Sequence, residues 1–265
     1  MPTVDRGDMR IYYELSGAGN GELLVLSNSL GSSVRMWDKV LAALEGQYRV
    51  LRYDTRGHGK SGIPPGPYTL DQLAGDVLFL LDHLGADRAD FCGLSLGGMV
   101  GQTLGIHAPH RVRRLVLANT AARILTQDVW DQRIAYVRQS GMAELAATTL
   151  GRWFTTEYRD VHPQEMETIR GMIASTDPSG YIACCGALRD ADLRGQIGAI
   201  RAPSLVISGT HDPATPAADG RALAAALPNS QYVELNSSHL SAWERADEFA
   251  HAILAFLETR KGNHG

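Results

Sequence analysis

Short apolar runs alternate with longer helical patterns along most of the chain. Runs rich in Val, Leu and Ile predict strands at residues 11–14, 23–27, 49–53, 89–93, 114–118, 204–208 and 231–235. Between them, residues 70–84 and 242–258 carry apolar side chains at the i, i+3, i+4 spacing of a helix. Continuously apolar strands are typical of parallel sheets buried on both faces. The alternation therefore predicts an α/β fold, with helices flanking a mostly parallel sheet.

The alternation breaks between residues 122 and 195. This stretch holds Trp130 and Trp153, many helix-forming residues and no convincing strand. It is too long for a structureless loop within a compact domain, so we expect it to fold as a helical cap. The sequence thus predicts a core domain from residues 1–121 and 196–265, with a cap, or lid, inserted at 122–195.

Composition excludes several classes of partner. The 265 residues are 44% hydrophobic and carry a net charge of -4, with Lys and Arg scattered rather than clustered. Neither nucleic acid nor an anionic membrane is therefore an expected partner. The three cysteines form no disulfide framework, and neither an apolar signal segment nor an 18-residue apolar stretch occurs. We expect a cytoplasmic protein.

Ser95 lies at the centre of a G-x-S-x-G pattern formed with Gly93 and Gly97. The pattern is common by chance, but here a predicted strand precedes it and a helical run follows it, which is the context of a nucleophile elbow. The glycines leave room for a strained turn that exposes the serine hydroxyl, and the following helix directs its N-terminal amides at the same point. The sequence predicts that Ser95 is a nucleophile.

A serine nucleophile needs a base and an acid that orients it. Of the nine histidines, His239 follows the strand 231–235, and Asp212 follows the strand 204–208. Both therefore belong to the edge of the sheet where Ser95 lies, so we predict His239 as base and Asp212 as acid. Asp54 also ends a strand and is the alternative acid. It precedes the nucleophile, however, within a turn that includes His58 and that we expect to pack near the site.

The oxyanion of an acyl-transfer reaction needs two backbone donors. We predict the N–H of Leu96, directly after the nucleophile, and the N–H of Leu30, in the loop that follows the strand 23–27. No spacing of ligands for a metal or organic cofactor occurs in the sequence, so we expect neither.

With these residues in the order Ser, Asp, His, the whole chain resembles the α/β-hydrolase superfamily. It is more closely similar to the 3-oxoadipate enol-lactonases of bacterial aromatic catabolism, where Asn28-Ser29 replaces the His-Gly pair common in the superfamily. The matching runs are residues 26–31, 36–38, 51–59, 91–98, 119–123, 152–155 and 207–212. The resemblance implies a serine hydrolase that opens a small anionic enol-lactone through an acyl-enzyme.

A lactone that carries a free carboxylate needs a cationic partner in the protein. The resemblance makes the arginines in or beside the cap candidates, since guanidinium binds carboxylate in a fork geometry. These are Arg123, Arg133 and Arg152, with Arg133 the first choice. We expect Trp130 and Trp153 to form apolar walls over the lactone ring.

Other functions stay open on the sequence alone. A general carboxylesterase or another small-molecule lactonase would use the same triad. A cofactor-free haloperoxidase or perhydrolase, and a non-catalytic ligand-binding protein of this fold, are weaker alternatives. A homo-oligomer is equally compatible with the sequence.

Overall fold

One sheet of eight strands runs through the part of the chain that the computed structural model describes, residues 2–7, 9–17 and 21–258. The strand order is β1-β2-β4-β3-β5-β6-β7-β8, in which β1–β2 and β2–β4 pair antiparallel and all other pairs are parallel. The strands are β1 Thr3–Arg6, β2 Met9–Gly17, β3 Glu22–Ser27, β4 Tyr48–Tyr53, β5 Ala89–Leu94, β6 Val112–Ala118, β7 Ser204–Gly209 and β8 Ser230–Leu235. All the predicted strands are present, and β1 is additional.

Ten α-helices connect and cover these strands within the described ranges. They are α1 Asp38–Glu45, α2 Leu70–His83, α3 Leu96–His107, α4 Gln127–Trp153, α5 Thr156–Val161, α6 Pro163–Ala174, α7 Pro178–Asp190, α8 Ala217–Ala226, α9 Ser241–Glu244 and α10 Ala246–Glu258. The single helix predicted over residues 242–258 is wrong in one respect. Arg245, at φ -129° and ψ 52°, leaves helical geometry and separates α9 from α10.

Four helices, α4 to α7, fill the chain between β6 and β7, which contains no strand. We call residues 119–203 the helical insertion. Its first helix is interrupted at Gly141, whose φ of +78° is outside the helical region, and it packs against α6 and α7. The division into a core domain and a cap at residues 122–195 stays a prediction, and residues 259–265 of the predicted core lie outside the described residues.

The buried centre of the sheet determines where a site can form. Every residue of β5 and β7 is buried, as expected for strands covered by helices on both faces. In sheets of this kind, ligands bind beyond the carboxyl ends of the parallel strands. The loops after β3, β5, β6, β7 and β8 therefore meet at one edge. In the described ranges, no helix is both long enough and apolar enough to cross a membrane.

Candidate active site

Ser95 occupies a sharp turn between β5 and α3. Its φ of +58° and ψ of -112° are strained for a residue with a side chain. A Cβ on Gly93 would lie 2.1 Å from the carbonyl oxygen of Gly97, and a Cβ on Gly97 would lie 2.1 Å from that of Ser27. Only glycine fits at both positions, which explains the two glycines of the motif.

His239 and Asp212 are in direct contact. His239 Nδ1 lies 2.7 Å from Asp212 Oδ2, and the two side chains are 4% and 0% exposed. Because a carboxylate only accepts, the neutral imidazole carries its proton on Nδ1, which leaves Nε2 free to accept. His239 and Ser95 line the same cavity. The arrangement holds an oriented imidazole at the cavity that Ser95 also lines.

The carboxylate of Asp212 is fixed by four donors besides His239. Oδ1 accepts from the N–H of Ala214 at 2.8 Å and of Thr215 at 3.1 Å, while Oδ2 accepts from Thr215 Oγ1 at 2.7 Å and Asn119 Nδ2 at 3.0 Å. Burial alone would raise the pKa of Asp212. Its interaction with His239 and the hydrogen bonds from His239, Thr215 and Asn119 outweigh burial and lower the pKa. The acid is therefore held ionised.

Asn119 is a member of this site that the sequence reasoning gave no role. It follows β6, has a φ of +43°, and also donates to the carbonyl oxygen of Ser238 at 3.2 Å. Its Oδ1 accepts from the hydroxyl of Ser241. A polar residue at a strand end, inside the run 119–123 that matched the enol-lactonases, was the available signal. Asn119 joins the acid to the loop that carries His239.

The two predicted oxyanion donors come from different segments of the chain. Leu96 is the first residue of α3, and Leu30 lines the cavity together with Ser95. Within the described residues, neither backbone N–H donates to another group. Both amides are available to a ligand, and their assignment as the oxyanion hole stays a prediction.

Asp54, the alternative acid, has another role. Its Oδ1 accepts from the N–H of Val34 and its Oδ2 from the N–H of Lys60, both at 2.8 Å. It thereby closes its own turn and anchors the segment after β3. The contact with His239 belongs to Asp212 instead.

Several residues of the helical insertion line the cavity over Ser95, and Trp130, Arg133, Arg152 and Trp153 are among them. The indole N–H of Trp130 donates to the carbonyl oxygen of Ile124 at 2.7 Å, so its ring is held as part of the wall. Three of the predicted substrate-binding residues thus lie together, and Arg152, a further candidate, joins them. Their assignment as the substrate site stays a prediction.

Arg123, in contrast, does not line this cavity. Its Nη1 lies 3.4 Å from Asp192 Oδ2, and its side chain is 32% exposed. Its partner is Asp192 instead, a contact between distant residues that no local pattern in the sequence encodes. We therefore leave Arg123 out of the substrate site.

The remaining two arginines make the cavity electropositive. Arg133 Cζ lies 5.2 Å from the ring centroid of Trp130, and Arg152 donates to Thr149 Oγ1 at 2.9 Å. Burial lowers the pKa of Arg152, and the positive charge of Arg133 lowers it further. No carboxylate of the described residues pairs with either guanidinium. Two neighbouring cations without a counter-ion favour an anionic ligand.

The described ranges contain neither a cluster of metal ligands nor an exposed cysteine thiol. No group of three or more His, Cys, Asp or Glu side chains there is placed to hold a metal ion. Cys92, Cys184 and Cys185 are free and buried, and burial raises the pKa of each thiol. None of the three thiols lines the cavity that Ser95 lines.

The fold and the site define a class of protein. Residues 22–246 match the family profile of the α/β hydrolase fold, and the chain belongs to that family. 3-Oxoadipate enol-lactonase 2 of Acinetobacter baylyi is 41% identical over 256 residues, covering 97% of this chain and 96% of the relative. The predicted fold class and the resemblance to the enol-lactonases are confirmed.

Solved structures agree with this relationship. The crystal structure of the enol-lactonase from Burkholderia xenovorans LB400 superposes with a TM-score of 0.95 at 47% identity, covering 97% of this chain and 99% of that one. A hydrolase from Pseudomonas aeruginosa PA01 superposes with a TM-score of 0.94 at 46% identity, covering 97% and 98%. The similarity extends through the helical insertion, because almost the whole chain is covered.

Proposed function

We propose that this chain is a serine hydrolase that opens 3-oxoadipate enol-lactone to 3-oxoadipate through an acyl-enzyme on Ser95. The observation that carries the proposal is the Asp212–His239 pair, which opens with Ser95 onto a cavity that holds two arginines. Relatives named as enol-lactonases, at 41% and 47% identity over nearly the whole chain, support the choice of substrate.

The first half of the reaction forms the acyl-enzyme. Ser95 Oγ attacks the lactone carbonyl carbon while His239 Nε2 accepts its proton, and Asp212 stabilises the imidazolium. The N–H groups of Leu30 and Leu96 donate to the tetrahedral oxyanion. The C–O bond of the ring then breaks, the enol oxygen leaves with the proton from His239, and the enol tautomerises to the ketone.

The second half regenerates the serine. His239 removes a proton from water, the hydroxide attacks the acyl carbonyl, and Ser95 leaves with the proton that His239 returns. The free acid is released as a second carboxylate. Every proton transfer of the acylation and deacylation steps uses the same imidazole.

Recognition of the substrate is assigned to the helical insertion. Arg133 and Arg152 bind the carboxylate that the lactone carries before reaction, and the rings of Trp130 and Trp153 enclose the lactone. We also place the enzyme in the cytoplasm, which is supported by its three free cysteines.

Replacement of Ser95 by alanine tests the proposal directly. Loss of enol-lactone absorbance is followed with the wild type, Ser95→Ala and the control Ser175→Ala, an exposed serine at the end of α6. We expect Ser95→Ala to lower kcat by roughly 10⁶ and the control to leave it unchanged. A fluorophosphonate should add its mass to the wild type and not to Ser95→Ala. Turnover that survives in Ser95→Ala would refute the mechanism.

A further inference from the structure

The turn at residues 54–61 makes a contact that the mechanism above does not use. We propose that His58 is a positioning residue of this site, and that its Nε2 holds the loop after β3 so that the Leu30 N–H faces the oxyanion. The inference rests on the proposed function, because both take the Leu30 N–H as a donor to the oxyanion. It concerns acyl transfer at Ser95 in general rather than the enol-lactone alone.

The direction of the hydrogen bonds around His58 is determined by chemistry. The N–H of Gly31 donates to His58 Nε2 at 2.9 Å, and His58 Nδ1 lies 3.2 Å from the carbonyl oxygen of Arg56. A backbone N–H only donates and a carbonyl only accepts, so the proton is on Nδ1 and Nε2 is the acceptor. The ring is 2% exposed, and burial lowers the pKa of His58 to about 4. At neutral pH the ring is therefore uncharged and able to accept.

This acceptor lies directly beside the predicted oxyanion donor. The N–H of Ser29, on one side of Leu30, donates to Met36 Sδ at 3.2 Å, and the N–H of Gly31, on the other side, donates to His58. Leu30 N–H has no acceptor among the described residues. With hydrogen bonds on both neighbouring amides, and with the carbonyl oxygen of Ser29 accepting from Ser32 Oγ at 2.7 Å, rotation of the amide between them is restricted. His58 supplies the anchor on the C-terminal side.

His58 can act as an anchor because its own turn is immobilised. A Cβ on Gly57 would lie 2.6 Å from Gly180 Cα, so this turn packs backbone to backbone against the start of α7. Gly31 has a φ of +78°, and a Cβ there would lie 3.1 Å from the ring of Tyr181. Gly31, in the loop after β3, is thus in contact with both His58 and the region of Tyr181. Loss of the acceptor would free Gly31 within that space.

Two substitutions of His58 by an amide residue distinguish its role as a hydrogen-bond acceptor from a role in filling space. In His58→Gln the amide oxygen reaches the position of Nε2 and can accept from Gly31, whereas in His58→Asn it reaches only the level of Nδ1. Cys184→Ala is the matched control, because Cys184 Sγ lies 4.0 Å from His58 Nδ1 and its removal disturbs the same region without touching the Gly31 contact. Thermal unfolding of all three variants measures the disturbance independently of activity.

Kinetics and ligand binding give the decisive comparison. Loss of an oxyanion donor lowers kcat by about 10²–10³, so a misdirected donor in His58→Asn should lower kcat by roughly 10- to 100-fold with KM unchanged. Affinity for a boronic acid that forms a tetrahedral adduct should fall in parallel, and affinity for 3-oxoadipate should not. His58→Gln should recover most of both losses, and Cys184→Ala should show neither.

Three outcomes would overturn the inference. The first is a wild-type kcat in His58→Asn, and the second is an equal loss of kcat in His58→Asn and His58→Gln. The third is a loss of kcat in Cys184→Ala as large as that in His58→Asn when the two variants show a similar fall in Tm. Each assay is run with the enol-lactone and with a neutral aryl ester. If the wild type hydrolyses only the aryl ester and the variants keep the expected order, the proposed function fails while the role of His58 stands.

Discussion

Replacement of Arg152 by methionine tests where the carboxylate of the lactone is bound. Arg152 lines the cavity, and no carboxylate of the described residues pairs with it. The substitution therefore removes a donor to the substrate without leaving an unpaired acid in the protein. One hydrogen bond between charged groups contributes about 1.5–3 kcal/mol, which corresponds to roughly 10- to 150-fold in kcat/KM. Arg133→Met should act similarly, and the double variant should lose less than the product of the two, because both arginines would contact one carboxylate.

The assay compares two substrates. One is the anionic enol-lactone, and the other is a neutral enol-lactone of the same ring size without the carboxylate. We expect the loss in Arg152→Met with the anionic substrate and a change of less than about 3-fold with the neutral one. Arg138→Met, an exposed arginine of the same helix α4, is the control and should leave both values unchanged. Equal losses on the two substrates would refute the reasoning, since they would indicate damage to the catalytic residues instead.

Asn119→Leu removes a donor to Asp212, and we expect kcat to fall roughly 10-fold or more, with the rate of fluorophosphonate labelling falling equally. An unchanged labelling rate would contradict the role of Asn119. Burial would raise the pKa of Glu165, but hydrogen bonds from a lysine, a tyrosine and a tryptophan lower it to about 2. Its contribution to stability is therefore complete above the unfolded pKa of about 4.3 and is lost as pH falls through about 2. The difference in unfolding free energy between the wild type and Glu165→Gln, from urea denaturation, should be constant above pH ~5 and shrink below pH ~4. A difference independent of pH would argue against this.

The central sheet was predictable because its strands are continuously apolar. Such a run has few alternatives to a strand buried on both faces, as residues 23–26 of β3 and 115–117 of β6 illustrate. β1, Thr3–Arg6, escaped prediction because three of its four residues are polar and none is buried, so it has no apolar run. The break at Arg245 escaped as well, since the apolar spacing continues on both sides of it. Hydrophobic periodicity indicates which side chains are buried, but it contains no information on a local change in φ and ψ such as the one at Arg245.

Some residues of the candidate site could also be predicted from the sequence, and others could not. Ser95 could be predicted from local sequence, because the strained turn requires glycines at fixed positions on both sides. Asp212 and His239 followed from topology, since the ends of parallel strands meet at one edge of the sheet. The contact between Asn119 and Asp212 joins residues far apart in the chain, and no local pattern specifies it. For the same reason the sequence could not separate Arg152, which enters the cavity, from Arg123, which does not.

The base and the substrate-binding helix are joined through backbone contacts. Ser238 Oγ donates to the carbonyl oxygen of Arg152 at 2.7 Å, and the N–H of Leu240 donates to that of Trp153 at 3.0 Å. The two residues that flank His239 are thus bonded to the last turn of α4. A backbone shift at the end of α4 would move the imidazole with it, whereas a side-chain change earlier in the helix would leave these bonds intact. Altered substrate preference with preserved kcat should therefore come from side chains within α4, and insertions or deletions near residues 152–153 should reduce kcat for every substrate.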